Sequence, residues 1–171
     1  NASTLKIEDE YTTGEGPDGV GISFDDSRLY VTNTKEGTIS IINVQTHESQ
    51  KLSVGGKPEL IHATPDRSIL FISNFVANKV HILDTHTDNI IREITNLNGP
   101  EEAVISLTEN RLYIVNFNIN VVQVFDGKTY QKLPWEFITG KKPIGIMPVL
   151  SKKKLYVSNY GENSVYVYRS P

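Results

Sequence analysis

The stretch "GEGPDG", residues 14–19, carries the spacing G-x-G-x-x-G. Between a strand and a helix, that spacing marks a loop whose backbone amides hold a pyrophosphate. Here Gly19 is followed by "VGISF", an apolar alternation of strand type, so no helix N-terminus awaits a phosphate and the dinucleotide reading fails. Other reactive groupings are sparse. His47, His62, His81 and His86 share no metal-ligand spacing, and "DTHTD" (84–88) falls in a turn between two apolar runs. No G-x-S-x-G elbow occurs, and the absence of cysteine removes thiol nucleophiles, disulfides and thiolate zinc sites together. Catalytic residues are therefore not assigned, and neither a metal site nor a cofactor is expected. Seventeen basic against twenty acidic side chains give a formal net charge of -3, without the basic excess that phosphate backbones require, so no nucleic-acid partner is expected. No apolar run approaches the ~18 residues of a membrane span.

What the chain does have is self-similarity. "RLYVTN" (28–33) returns as "ILFISN" (69–74), "RLYIVN" (111–116) and "KLYVSN" (154–159). Their last residues, Asn33, Asn74, Asn116 and Asn159, follow Pro17, Pro58, Pro100 and Pro143 by the same sixteen positions every time. A further apolar alternation ends ten residues after each Asn, at Asn43, Asp84, Asp126 and Arg169. Within each unit the apolar residues recur at every second position, rich in Val, Ile, Tyr and Phe and bounded by Gly, Asn, Asp and Pro. This predicts short strands joined by turns. Four strands per ~40–45 residues is the signature of a β-propeller blade. The expected fold is all-β, with about sixteen strands in four four-stranded blades covering 14–54, 55–96, 97–139 and 140–171 plus 5–13.

The residues that carry a family resemblance are Tyr30-Val31-Thr32-Asn33, the Gly-x-Pro entries, and "KVHILDTHTDNIIREI" (79–94). Over residues 14–169 the chain resembles the YVTN β-propeller family. That resemblance implies the fold; it also tilts the expected location towards the cell surface or exterior. It implies two competing activities. The first is a non-enzymatic binding module with its ligand at the mouth of the central channel. The alternative is a lactonase-like hydrolase on the same scaffold, since sugar lactonases are similar propellers.

The fourth unit stops after its third strand, while residues 5–14 stand where a preceding blade's fourth strand would lie. The matched ends predict that residues 6–12 pair with "SVYVYR" (164–169) and close a compact four-bladed monomer. Two chains sharing one eight-bladed ring, and a piece of a larger propeller, are the alternatives.

The connections that lead into each blade, and those between its second and third strands, share one face around the channel mouth. Loops held by a rigid scaffold are where binding residues gather. After the four prolines come Asp18, Glu59, Glu101 and Ile144, and Glu102 adds another carboxylate. After the four asparagines come Thr34, Phe75, Phe117 and Tyr160. With His62 on an inner strand, these residues suggest an acidic mouth with an aromatic rim, suited to a protein or peptide bearing Lys or Arg, a small polar ligand, or a cation such as Ca²⁺. The competing reading makes the carboxylates acceptors for loop amides and the aromatics covers for the blade ends. The recurrent prolines and asparagines are expected to be structural, since Asn tolerates turn geometry and bonds nearby backbone.

Overall fold

The computed structural model describes residues 3 and 5–169. The first blade is an antiparallel sheet of β1 (Pro17–Ile22), β2 (Arg28–Asn33), β3 (Thr38–Asn43) and β4 (Ser49–Ser53). The second holds β5 (Pro58–Ala63), β6 (Ile69–Asn74), β7 (Lys79–Asp84) and β8 (Asn89–Ile94). The third holds β9 (Pro100–Ser106), β10 (Arg111–Asn116), β11 (Val121–Asp126) and β12 (Lys132–Ile138). The last has only three strands, β13 (Pro143–Val149), β14 (Lys154–Asn159) and β15 (Ser164–Arg169). No helix among the described residues exceeds a single 3-10 turn, and none is long and apolar enough to cross a membrane.

Turn chemistry recurs with the strands. Asp26, Arg67, Asn110 and Lys153 close the first hairpin of each blade, and Gly37, Asn78, Asn120 and Asn163 the second, all with φ between 48° and 66°. That left-handed geometry reverses a strand in few residues and suits Gly, Asn and Asp best.

Each blade offers one apolar layer forwards and one backwards, because side chains alternate across a strand. Tyr30, Ile39 and Ile41 of the first blade meet Leu70, Ile72 and Leu83 of the second. Phe71, Val80 and Ile82 meet Leu112, Ile114 and Phe125. Tyr113, Val122 and Val124 meet Leu155 and Val157. Polar latches add to the first interface: the Arg28 guanidinium pairs with Asp88, and the Tyr30 hydroxyl donates to the same carboxylate. Arg67 likewise reaches back to Asp26.

The four sheets make an open, propeller-like arc. Packing runs from β1 to β5, β5 to β9 and β9 to β13, and no comparable contact joins β13 back to β1. This corrects the expected closure. Residues 6–14 form no strand and do not pair with β15. They are tied to the first blade instead: the Tyr11 hydroxyl donates to the Val44 carbonyl at 3.1 Å, Asp9 pairs with His47 at 3.0 Å, and the Gly14 amide donates to Asn33 Oδ1 at 3.0 Å. The reason is geometric. Four sheets close a ring only if each turns a quarter circle from the last. Full layers of Tyr, Phe, Leu and Ile pack successive sheets face to face, and no such layer joins the last sheet to the first.

Candidate functional site

Every inner strand shifts register just after its proline, between Pro17 and Val20, Pro58 and Ile61, Pro100 and Ala103, and Pro143 and Ile146. A bulge re-aims the side chains it contains. Here it contains Asp18, Glu59, Glu101 and Ile144, which leave the in-out alternation of the strand proper. The bulge also frees a backbone amide, and in three of the four blades the residue before the repeat Asn supplies its acceptor. Thr32 Oγ1 accepts from Gly19 N at 2.8 Å, Ser73 Oγ from Leu60 N at 3.2 Å, and Ser158 Oγ from Gly145 N at 3.0 Å. These hydroxyls were overlooked in the sequence, although three of the four repeats carry one at that position. Gly19 has a separate role: a Cβ there would stand 2.4 Å from the Glu59 carbonyl, so glycine lets β1 and β5 approach. Gly16, with φ 68°, makes the left-handed turn into β1. The glycines of "GEGPDG" thus serve chain geometry.

The structure brings Asp18, Glu59 and Glu101 together on three adjacent inner strands and adds Lys57 among them. Glu59 is only 7% exposed. Its Oε1 pairs with Lys57 Nζ, while its buried Oε2 has no donor as long as both glutamates are ionised. Burial first, and then the neighbouring Glu59 charge, push the Glu101 carboxyl up to about 7; Asp18 acts in the same direction and Lys57 opposes. Lys57, hydrogen-bonded to Glu59 and close to Glu101 and Asp18, is held above the usual lysine value. The arrangement is a half-buried carboxylate cluster with one internal cation and one proton that leaves near neutrality.

Lys57 also joins the cluster to the aromatics. Its ammonium lies 5.8 Å from the centre of the Phe75 ring, Phe75 packs edge-on to Phe117 at 5.7 Å, and Lys142 Nζ sits 5.7 Å from the Phe117 ring. Both geometries fall within cation–π range. The rim is therefore aromatic and basic, whereas the sequence suggested only acid and ring. The missed signal was the residue before each proline, which reads Gly16, Lys57, Gly99 and Lys142. One backbone bond per blade fixes this layer: Thr34, Phe75, Phe117 and Tyr160 donate to the carbonyls of Gly16, Lys57, Gly99 and Lys142 at 2.8–3.0 Å.

The other candidates stand apart. Glu102 turns towards the fourth blade, where its Oε2 accepts from Ile146 N at 2.6 Å; burial nevertheless raises its carboxyl. Tyr160 is 70% exposed at the open end of the arc, beside Ile144 and Asn163 along a shallow cleft of about 370 Å³. His62 is half-buried on β5, and burial pushes its imidazole below the usual value. Three of the repeat asparagines bind the incoming loop. Asn33, Asn74 and Asn116 accept through Oδ1 from the amides of Gly14, Lys57 and Asn98 at 2.8–3.0 Å. Asn159 differs, because its buried Oδ1 has no partner and Glu162 takes the Lys141 amide at 3.1 Å. Among the described residues, no group of three His, Asp or Glu side chains is placed to hold a metal ion.

Solved structures of similar shape are numerous. The hydrazine synthase of Kuenenia stuttgartiensis superposes with a TM-score of 0.78 at 22% identity, covering 96% of this chain and 49% of that one. U3-55K gives 0.69 at 10% identity over 92% of this chain and 53% of its own. A functionally unknown protein from Desulfotomaculum acetoxidans DSM 771 gives 0.73 at 15% identity, with coverage of 96% and 54%. No family model and no curated protein matches the sequence. The chain thus spans about half the length of these propeller-like structures, and at such identities the likeness establishes the fold alone.

Proposed function

We propose that this chain is a non-enzymatic binding module whose recognition surface is the channel-mouth face, and that its ligand presents an ammonium or guanidinium group, as a Lys- or Arg-bearing peptide does. The observation that carries this reading is Glu59 Oε2, a buried carboxylate oxygen left without a donor once Glu101 is ionised, beside Asp18 and Glu101. An unsatisfied buried acceptor costs about 1–3 kcal/mol. An incoming N–H donor would remove that cost, and its charge would meet a cluster in which three carboxylates face one lysine. Phe75 and Phe117 supply an apolar shelf for the ligand's aliphatic or aromatic parts. Ca²⁺ fits less well, since it asks for six to eight converging oxygens and Lys57 already stands among these carboxylates.

The test is calorimetric titration with short Lys- and Arg-containing peptides, with CaCl₂ as a separate arm. A cation favours ionised Glu101, so affinity should rise several-fold from pH 6 to pH 8 and a proton should be released on binding below neutrality. Glu101→Gln should abolish that pH dependence. Absence of binding by any cationic probe would leave the carboxylates a purely structural role. The lactonase-like alternative is checked on the same preparation with a panel of lactones and esters; chelator-sensitive turnover would favour it over the binding module.

A further inference from the structure

We propose that His81 is a proton switch for the loop that enters the second blade: charging its imidazole forces Asn74 to release that loop, and Lys57 loses its fixed place in the carboxylate cluster. The seventh residue after each of the first three repeat asparagines lies on its blade's third strand and faces that Asn. In the first blade it is Ser40, whose Oγ accepts from Asn33 Nδ2 at 2.9 Å. In the third it is Gln123, whose Oε1 accepts from Asn116 Nδ2 at 3.5 Å. In the second it is His81, 1% exposed, with Nε2 3.2 Å from Asn74 Nδ2. Of these three partners only the imidazole changes charge between pH 5 and pH 8. It stands in the blade whose entry loop carries Lys57 and whose inner strand carries Glu59.

Asn74 cannot turn its amide round to suit a charged ring. Its Oδ1 accepts from Lys57 N at 2.8 Å and Ala77 N at 3.2 Å, while its Nδ2 donates to the Gly55 carbonyl at 2.9 Å. Those bonds fix Nδ2 as the group that faces His81, so Nε2 is the acceptor and the ring proton sits on Nδ1. Nδ1 lies 3.0 Å from Glu93 Oε1, off the line of a good hydrogen bond, and the same carboxylate pairs with Lys79 at 2.8 Å. A proton added to Nε2 would set N–H against N–H, so that either the ring or the amide must move away. Burial pushes the imidazole below its usual value; Glu93 opposes that shift and Lys79 reinforces it, and no other charged side chain acts on the ring among the described residues. Ile72 on β6 lies opposite His81, and the first blade covers this face with Ile39, Ile41 and Leu52. The folded chain therefore favours the neutral ring. Its stability falls as pH drops below about 6.5, where the unfolded histidine takes a proton, and protonation of the folded form is coupled to release of the loop.

The switch is read without any ligand, from amide hydrogen exchange followed by NMR. Protection of the Lys57 and Ala77 amides should fall about tenfold between pH 7 and pH 5 through local opening. The Asn98 amide, which Asn116 holds at 2.8 Å in the same way, should keep its protection. His81→Gln, which installs the partner used in the third blade, should leave Lys57 and Ala77 as protected at pH 5 as at pH 7. Unchanged protection in the parent, an equal loss at Asn98, or a loss that persists in His81→Gln would each overturn the proposal. Should His81→Gln fail to fold, the ring itself decides: the His81 imidazole shifts of the parent must titrate with the midpoint of the Lys57 protection, and a different midpoint overturns it. The consequence for recognition rests on the binding reading above. By pH 6 Glu101 holds its proton for the most part, so a further several-fold fall in affinity for a Lys-containing peptide from pH 6 to pH 5, absent in His81→Gln, isolates His81. An equal fall in both would detach the switch from the mouth. Absence of peptide binding at every pH would remove the binding reading and leave the exchange measurement to decide the switch by itself.

Discussion

Glu101 is the residue whose surroundings make the sharpest demand. Its folded-state carboxyl, near 7 against an ordinary 4.5, holds its proton more tightly than the unfolded chain does. Its contribution to stability is therefore complete below about pH 4.5 and is lost as pH rises through 7. Glu101→Gln carries no such loss, so its melting temperature should exceed the parent's by a margin that grows between pH 5 and pH 8. A margin independent of pH would show that the carboxyl is not perturbed. Glu59→Gln should instead lower stability, because it would break the ion pair between Glu59 Oε1 and Lys57. Like-charge repulsion between the two glutamates was foreseeable from their repeat positions. The lysine that splits their roles was not read, because the position before each proline varies between Gly and Lys and only the fold shows that the Lys57 side chain turns back into the cluster.

The inner-strand bulge and its polar anchors are the device that turns a repeat into a surface. Asn74 holds the loop before β5 through the Lys57 amide at 2.8 Å and also bonds Ala77 N, the Gly55 carbonyl and His81. Asn74→Ala should cost about 2–4 kcal/mol, by several buried groups left unpaired. Asn159→Ala, at the same repeat position, should cost less than half as much, because its Oδ1 has no partner. Urea unfolding of the two variants makes the comparison. Equal losses would mean that the asparagine acts through turn conformation alone. The tetrapeptide "YVTN" is thus read position by position: Tyr30 latches the next blade, Val31 faces backwards, Thr32 satisfies the bulge and Asn33 holds the loop.

An arc of blades has contacts only between neighbours, so its cooperativity depends on each interface. The first carries a charged latch, Arg28 and Tyr30 on Asp88. Asp88 has φ 59°, which asparagine tolerates, so Asp88→Asn tests the charge without disturbing the turn. It should lower stability by about 1–2 kcal/mol and reduce the urea slope, as the first blade uncouples and each transition exposes less surface. A lower midpoint with an unchanged slope would mean that the apolar layer of Tyr30, Leu70 and Leu83 couples the blades unaided.

Strands, their order and their turn positions were legible in the sequence because they depend on local rules: alternation, proline and left-handed residues recurring at one spacing from Pro17 to Asn159. The recurrence of Asp18, Glu59 and Glu101 after those prolines also placed three carboxylates on one face, since equivalent repeat positions map to equivalent places. The angle between blades is another matter. It is set by how whole side-chain layers pack, as between Phe71 and Leu112 or Tyr113 and Leu155, and every alternating strand is compatible with a tight ring or a wide one. In the structure residues 6–14 do not pair with β15, Glu102 reaches Ile146 rather than Glu101, and Tyr160 stands exposed at the open end. Local pattern specifies the blade; only packing between blades decides the ring, because closure is a sum over all interfaces and no single repeat contains it.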